Sequence, residues 1–269
     1  MKPPPFDYHR PRRREEVDGL LAAHGADAKI LAGGQSLIPI LNMRLSAPAH
    51  LIDINGLADE PRAPVHDDGV VRFGPLVRHA DAEHGVHPLL DAAMEFVGHP
   101  AIRSRGTVVG SVAHADPAAE LPAALLVLDG EVRVRRAQGS RTLSAREFFV
   151  GALENACAGD EWVEEVSIPA APEGTGYAVE EFARRHGDYA ICGVMAAARE
   201  DSVRLVHFGI ASLPVVTDVA ADDDVRARVR DALDDVEIAD DLHGTERYRR
   251  HLAEVLGERA AARAAVRAV

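Results

Sequence analysis

The chain has 269 residues, of which 47% are hydrophobic and 27% charged, an ordinary globular composition that excludes a disordered, collagenous or coiled-coil chain. At roughly 100 to 200 residues per domain it holds one large domain or two to three small ones. Thirty basic residues against 43 acidic ones leave a net charge of −13, and a surface this acidic repels phosphate backbones, which argues against general nucleic-acid binding.

The N-terminus carries Arg10, Arg12, Arg13 and Arg14 after Pro3, Pro4 and Pro5, and Glu15, Glu16 and Asp18 follow at once. That is neither a secretory nor a transit composition, so the segment is read as the basic start of a surface helix in the mature fold. Residues 27–32 form a strand candidate broken by Gly33-Gly34, and Ser36 is placed to cap a helical turn through Leu37, Ile38 and Leu41. A second strand is expected at 51–54 and a third at 70–73, reached through the polar stretch 59–68, whose Asp67-Asp68 reads as a solvated turn. Helical patterns cover 79–84 and 88–97, and a second glycine-bearing turn follows in 106–111. A helix is expected at 118–128, a strand at 131–135, a hairpin turn at 138–140 and a capping box from Ser144 to Glu147. After a Pro/Gly-rich break at 169–176, strands at 177–182, 190–198 and 203–210 precede helices at 225–233 and 245–263. Strands first and helices last suggest a separate C-terminal α+β domain. The Ala/Arg-rich tail after Gly257 reads as a fraying helix end.

The longest apolar run, about nine residues around 190–198, is far short of the roughly 18 needed for a membrane span. Cys157 and Cys192 are too few for a disulfide framework or a four-thiolate site, so the chain holds no iron–sulfur cluster of its own. Cys192 reads as a small core residue, and this sparing use of cysteine suits a reducing, cytoplasmic setting.

Several catalytic patterns are missing: G-x-x-x-x-G-K-[ST], H-E-x-x-H and a helix-opening G-x-G-x-x-G. Gly34-Gln35-Ser36-Leu37-Ile38 lacks the last glycine of a serine-hydrolase elbow. Thirteen histidines invite a metal reading, but His114 with Asp116 and His186 with Asp188 lack the i, i+4 spacing of helical ligands, and no metal site is expected. What remains is the pair of glycine turns. A diphosphate must meet several backbone N–H groups at once, and glycine permits that approach. Ala32-Gly33-Gly34-Gln35-Ser36 has this form. Thr107-Val108-Val109-Gly110-Ser111 offers a second hydroxyl-flanked turn, with Asp116 as acceptor for a sugar-type hydroxyl. Two ordinary β-turns in an α/β domain would satisfy the same spacing.

The residues themselves resemble a family: the FAD-binding medium subunits of molybdenum hydroxylases, of the carbon monoxide, nicotine and xanthine dehydrogenase type. The resemblance runs through Pro5-Phe6-Asp7-Tyr8-His9-Arg10-Pro11, the segment from Leu31 to Pro39, Leu51-Ile52-Asp53-Ile54-Asn55, and Gly98-His99-Pro100-Ala101-Ile102-Arg103-Ser104-Arg105-Gly106-Thr107. It continues through Ala113 to Pro122, Ala183-Arg184-Arg185-His186-Gly187-Asp188-Tyr189-Ala190 and Glu246 to Ala253. It implies an FAD-binding fold of the vanillyl-alcohol-oxidase-like (PCMH) type in two α/β subdomains, residues 1–56 and 57–172, with a C-terminal α+β domain at 173–269. FAD is then the implied cofactor, held by Ala32, Gly33, Gly34, Gln35, Ser36, Leu37, Ile102, Thr107, Gly110, Ser111, Asp116 and Arg185, with no catalytic side chain. The resemblance further implies a large subunit with the molybdenum cofactor, a small subunit with [2Fe–2S] clusters, a dimer of heterotrimers and an external small-molecule electron acceptor. A stand-alone flavin oxidoreductase and a structural subunit with a decayed site are the alternatives. Val109 stands where the family usually has glycine. A β-branched residue there resists a positive φ and fills space near the phosphates, but Gly110, both hydroxyl residues and Asp116 remain, so the loop is expected to tolerate it and Val109→Gly to leave FAD retention intact or tighten it.

Overall fold

The computed structural model describes residues 2–268. The chain enters through β1 (Asp7–His9), α1 (Arg14–His24), β2 (Ala28–Leu31), α2 (Leu37–Met43) and β3 (His50–Asp53). Both β1 and β2 pair parallel to β3, giving the order β1-β3-β2. Parallel pairing needs crossovers, and α1 and α2 supply them. Val17 and Leu21 of α1 bury with Ile52, Ile54, Leu76 and Trp162. The basic start of α1 does more than face solvent. Arg14 donates to Glu60 and, at 2.6 Å, to Glu164, which is 1% exposed and also pairs with Arg133 at 3.0 Å. Buried Asp18 accepts from the Trp162 indole N–H at 2.9 Å and from Arg135. Each buried carboxylate has several donors, the condition under which an interior charge is tolerated.

Next come β4 (Val65–Asp67), β5 (Val70–Phe73), α3 (Pro88–Met94), α4 (Pro100–Arg103), α5 (Val108–His114), α6 (Glu120–Val127), β6 (Glu131–Arg136), β7 (Gly139–Ser144), α7 (Ala145–Phe148), β8 (Phe149–Gly151), β9 (Glu154–Asn155) and β10 (Trp162–Pro169). Five of these strands form an antiparallel sheet in the order β4-β5-β10-β6-β7. Its central strand, β10, has no counterpart in the expectations above. A register shift between Val163 and Glu165 breaks its alternation, and a bulge of this kind erases the period-two signal. The capping box at α7 is present with both reciprocal hydrogen bonds.

The last third contains β11 (Gly176–Phe182), β12 (Cys192–Ala198), β13 (Ser202–Phe208), β14 (Val215–Ala220), α8 (Val225–Leu233) and α9 (Glu246–Arg267), the strands forming one antiparallel meander. Cys192, Val194 and Ala196 of β12 face α8 and α9, whereas Met195, Val206 and Phe208 join the core shared with α3 and α6. A strand covered on both faces accounts for the longest apolar run in the sequence. Burial pushes the Cys192 thiol up to about 12, as befits an inert core residue. The tail does not fray after Gly257: α9 runs on to Arg267, with Ala260, Ala261 and Ala264 buried. Their small side chains let the helix lie almost against β11. Among the described residues, no helix is long and apolar enough to cross a membrane.

Candidate functional site

The first glycine turn joins β2 to α2. Gly34 takes φ +75°, a left-handed conformation that side chains resist, and this aims the following residues into the start of α2. Among the described residues, the backbone N–H groups of Gly33, Gly34, Gln35 and Ser36 donate to nothing in the protein. Consecutive free N–H groups around a left-handed residue form a nest suited to an anion. The Gln35 amide folds back to the Gly33 carbonyl at 3.0 Å and stiffens the turn. Ser36 occupies the N-cap position of α2 but makes no capping hydrogen bond, so its hydroxyl is free for another partner.

The second segment is not a turn of the same kind. Thr107 caps α5, its hydroxyl accepting from the Gly110 N–H at 3.0 Å, and Val108 already lies in the helix. Val109 is therefore helical, without a positive φ, and its side chain is 3% exposed in the core. Its side chain points inward, while Gly110 and Ser111 stay only partly buried. A Cβ on Gly110 would stand 2.6 Å from the Thr107 hydroxyl oxygen and 3.8 Å from the Ala32 Cβ, so the cap and the first turn are neighbours.

The two segments are locked to each other. A Cβ on Gly33 would meet the Arg105 carbonyl oxygen at 2.5 Å and the Gly106 Cα at 2.6 Å. Gly33 thus serves close packing between segments, a role distinct from the phosphate approach assigned from sequence. A polar seam reinforces the contact. The Asn55 amide donates to the Ala32 carbonyl at 2.8 Å, Arg78 donates to Asn55 Oδ1 at 2.5 Å and to the Arg105 carbonyl. Asp53 accepts from Tyr8 and from the Asn55 amide at 2.6 Å. Burial pushes the Asp53 carboxyl up, but the hydrogen bonds from Tyr8 and Asn55, with Arg10 nearby, hold it below the usual carboxylate range. Tyr8, Asp53 and Asn55 lie in fragments that carried the resemblance, yet nothing in their spacing showed that they stitch two distant turns together.

Beyond α5 the wall is acidic. Asp116 accepts from the Ala118 N–H at 2.9 Å and stays partly exposed. Burial, with Asp116 adding, pushes Glu120 up to about 7. Burial and then the Glu120 carboxyl push Glu181, on β11, up to about 9, and Glu181 Oε2 is buried with no partner. Tyr189, exposed in the β11–β12 connection, stands beside the Ser36 hydroxyl. All three stretches of the chain therefore contribute to one site. Glu120, Glu181 and Tyr189 were missed by sequence reasoning, and an acidic residue opening a helix gives no sign that it is buried against another carboxyl.

The remaining expected residues are less enclosed. Leu37 opens α2, and Ile102 on α4 is 38% exposed, an apolar surface beside the turns. Arg185 is exposed in the β11–β12 connection, which packs at Gly187 against Gly98 and His99; among the described residues no ion pair holds it. Among the described residues, a cavity of about 440 Å³ opens elsewhere, lined by Leu126, Phe149, Leu213 and Val216, so size alone does not locate the site.

Residues 4–171 match the FAD binding domain in molybdopterin dehydrogenase. The chain is 37% identical to the 6-hydroxypseudooxynicotine dehydrogenase complex subunit alpha of Paenarthrobacter nicotinovorans, covering 100% of this chain and 97% of that one. It is also 37% identical to the caffeine dehydrogenase subunit beta of Pseudomonas sp. (strain CBB1), over 100% and 98% of the two chains. Among solved structures, the carbon monoxide dehydrogenase of Hydrogenophaga pseudoflava contains a chain that superimposes with a TM-score of 0.91 at 30% identity, over 99% of each chain. The chain belongs to the family of FAD-binding medium subunits of molybdenum hydroxylases, with FAD as its cofactor.

Proposed function

We propose that this subunit is the electron exit of a three-subunit hydroxylase. It would take electrons from [2Fe–2S] clusters on a small subunit, which receive them from a molybdenum cofactor on a large one, and pass them to an external small-molecule acceptor. The observation that carries the proposal is the nest of unpaired N–H groups from Gly33 to Ser36, facing the capped start of α5 and the Asp116 carboxylate. The residues fit FAD: the nest suits a pyrophosphate, Asp116 suits a hydroxyl, and a protonated Glu181 without a partner has a hydrogen bond to give. When bound, FAD accepts electrons singly and passes on one or two.

The chain's own residues bind and orient. The turn from Ala32 through Leu37 would hold the phosphates, the neighbouring segment with Thr107, Gly110 and Ser111 would close the site beside it, and Ile102 and Tyr189 would offer apolar surface to the ring system. Arg185 supplies a basic group nearby. No side chain acts as a nucleophile. The three units, 1–56, 57–172 and 173–269, would each carry one large sheet, with a hydrophobic core shared across each boundary. A dimer of heterotrimers in the cytoplasm completes the proposal.

The test is purification of the tagged chain alone and with its co-expressed neighbours. The expected result is a yellow chain with one FAD each that reduces dyes but oxidises no organic substrate until subunits bearing molybdenum and iron–sulfur join it. Turnover of a substrate by the isolated chain would establish a self-sufficient oxidoreductase, and a colourless chain would establish a decayed site.

A further inference from the structure

We infer that the N-terminal sheet carries a binding site for a divalent transition-metal ion, formed by His9, His24 and His50. One ligand nitrogen from each ring lies within 4.8 Å of the other two, and among the described residues this is the one such group. His9 ends β1, His24 ends α1 and His50 opens β3, so three separate elements each deliver a single imidazole. No i, i+4 pattern links them, which is why sequence spacing pointed to no metal.

The geometry is close to what coordination needs. His9 Nε2 and His50 Nδ1 are 3.1 Å apart, and zinc–nitrogen bonds of about 2.0–2.1 Å in a tetrahedron separate their ligands by about 3.3 Å. The His24 and His50 rings stack with centroids 3.6 Å apart and planes 23° from parallel, so the His24 ring must turn edge-on to aim its lone pair at the same point. All three rings are only partly buried, which leaves room for that turn and for a water. The Asp7 carboxylate, 3.9 Å from His50 Nδ1 and largely exposed, can take the fourth position or orient a bound water. As neutral rings the three histidines gain one N–H···N bond and stacking; a cation uses three in-plane lone pairs at once. Imidazole donors favour Zn²⁺, Cu²⁺ or Ni²⁺ over Mg²⁺ or Ca²⁺. The bound ion would pin β1 and the end of α1 to β3, the strand that carries Asp53 of the polar seam, and so act as a structural clamp. The proposal does not depend on the flavin reading.

The experiment titrates the full chain, first stripped with a chelator, with Zn²⁺ against a chromophoric competitor, and repeats thermal unfolding with and without the ion. One equivalent should bind, and the midpoint of unfolding should rise. His9→Ala, His24→Ala and His50→Ala should each weaken binding by at least about tenfold, the lower end of what losing even an outer partner of a metal site costs. His251→Ala, on the exposed side of α9, should leave it unchanged. His24 makes no side-chain capping hydrogen bond to the turn Gly25–Asp27 that follows it, so His24→Gln serves as a second variant if an alanine variant misfolds. Co²⁺ in place of Zn²⁺ should give the visible bands of a four-coordinate site, lost in His24→Gln. No binding by the wild-type chain, equal binding by the three alanine variants, or equal weakening by His251→Ala would each overturn the site.

Discussion

The segments Ala32–Ser36 and Thr107–Ser111 look alike on paper, small residues flanked by hydroxyls, yet they do different work. The first has a left-handed Gly34 and, among the described residues, four backbone donors without partners. The second is a closed helix start, in which Thr107 satisfies the Gly110 N–H and Val109 is a core residue. Glycine content alone does not distinguish an anion-binding turn from a close contact or a cap. The distinguishing feature is where each backbone N–H goes.

Substitutions can break this contrast, and the largest effect is expected at Gly33. Gly33→Val drives a branched side chain into the Arg105 carbonyl, so the two segments must part and FAD retention should be lost, measured as flavin absorbance per chain after gel filtration. Unchanged FAD content would show that their contact is dispensable. Next is Val109. Because Val109 lies in the core, Val109→Gly leaves a cavity and a glycine inside a helix and should cost roughly 2–4 kcal/mol of stability, read by denaturant unfolding. A variant as stable as the parent would put Val109 back at the cofactor surface.

Smaller effects sharpen the reading of the acidic wall. Asp116→Ala should weaken FAD by about 1.5–3 kcal/mol, the range for a hydrogen bond to a charged group, with little effect on the apo chain's stability. Equal FAD affinity in the variant would remove Asp116 from the site. Glu181 has its folded value raised to about 9, so its favourable contribution is complete below pH ~4.5 and declines as the pH rises toward 9. Glu181→Gln removes that dependence. It should raise the apo chain's midpoint by roughly 2–6 °C at pH 8 and leave it nearly unchanged near pH 4. An equal change at both values would mean that Glu181 is ionised in the folded chain.

Much of the fold was legible because its elements carry local signals. The strand β12 announces itself as an apolar run, α7 by its capping box, and α8 by Asp224 just before an amphipathic turn. The central strand β10 was hidden because its bulge scrambles the alternation, and the edge strand β14 because its apolar residues do not alternate in the sequence. The α9 tail misled for a different reason. Alanine and arginine suggest a solvated end, but an alanine stripe is also what allows a helix to sit hard against a strand. In the candidate site, the turn itself was readable from Gly33-Gly34 after a strand. The buried pair Glu120 and Glu181, the seam through Asn55 and Arg78, and the three histidines were not.

By itself the sequence determined several local conformations and the family: a glycine pair after a strand, a serine capping box and an apolar run state their preferences over a few residues. Which groups would meet was decided by tertiary structure alone. Asn55 reaches Ala32, Glu181 approaches Glu120 and His9 touches His50 across long stretches of chain, where neighbouring sequence exerts no force. Those contacts exist because packing three sheets around shared cores brings their edges together, and burial there alters the charge and hydrogen-bonding state of side chains that would be ordinary in water.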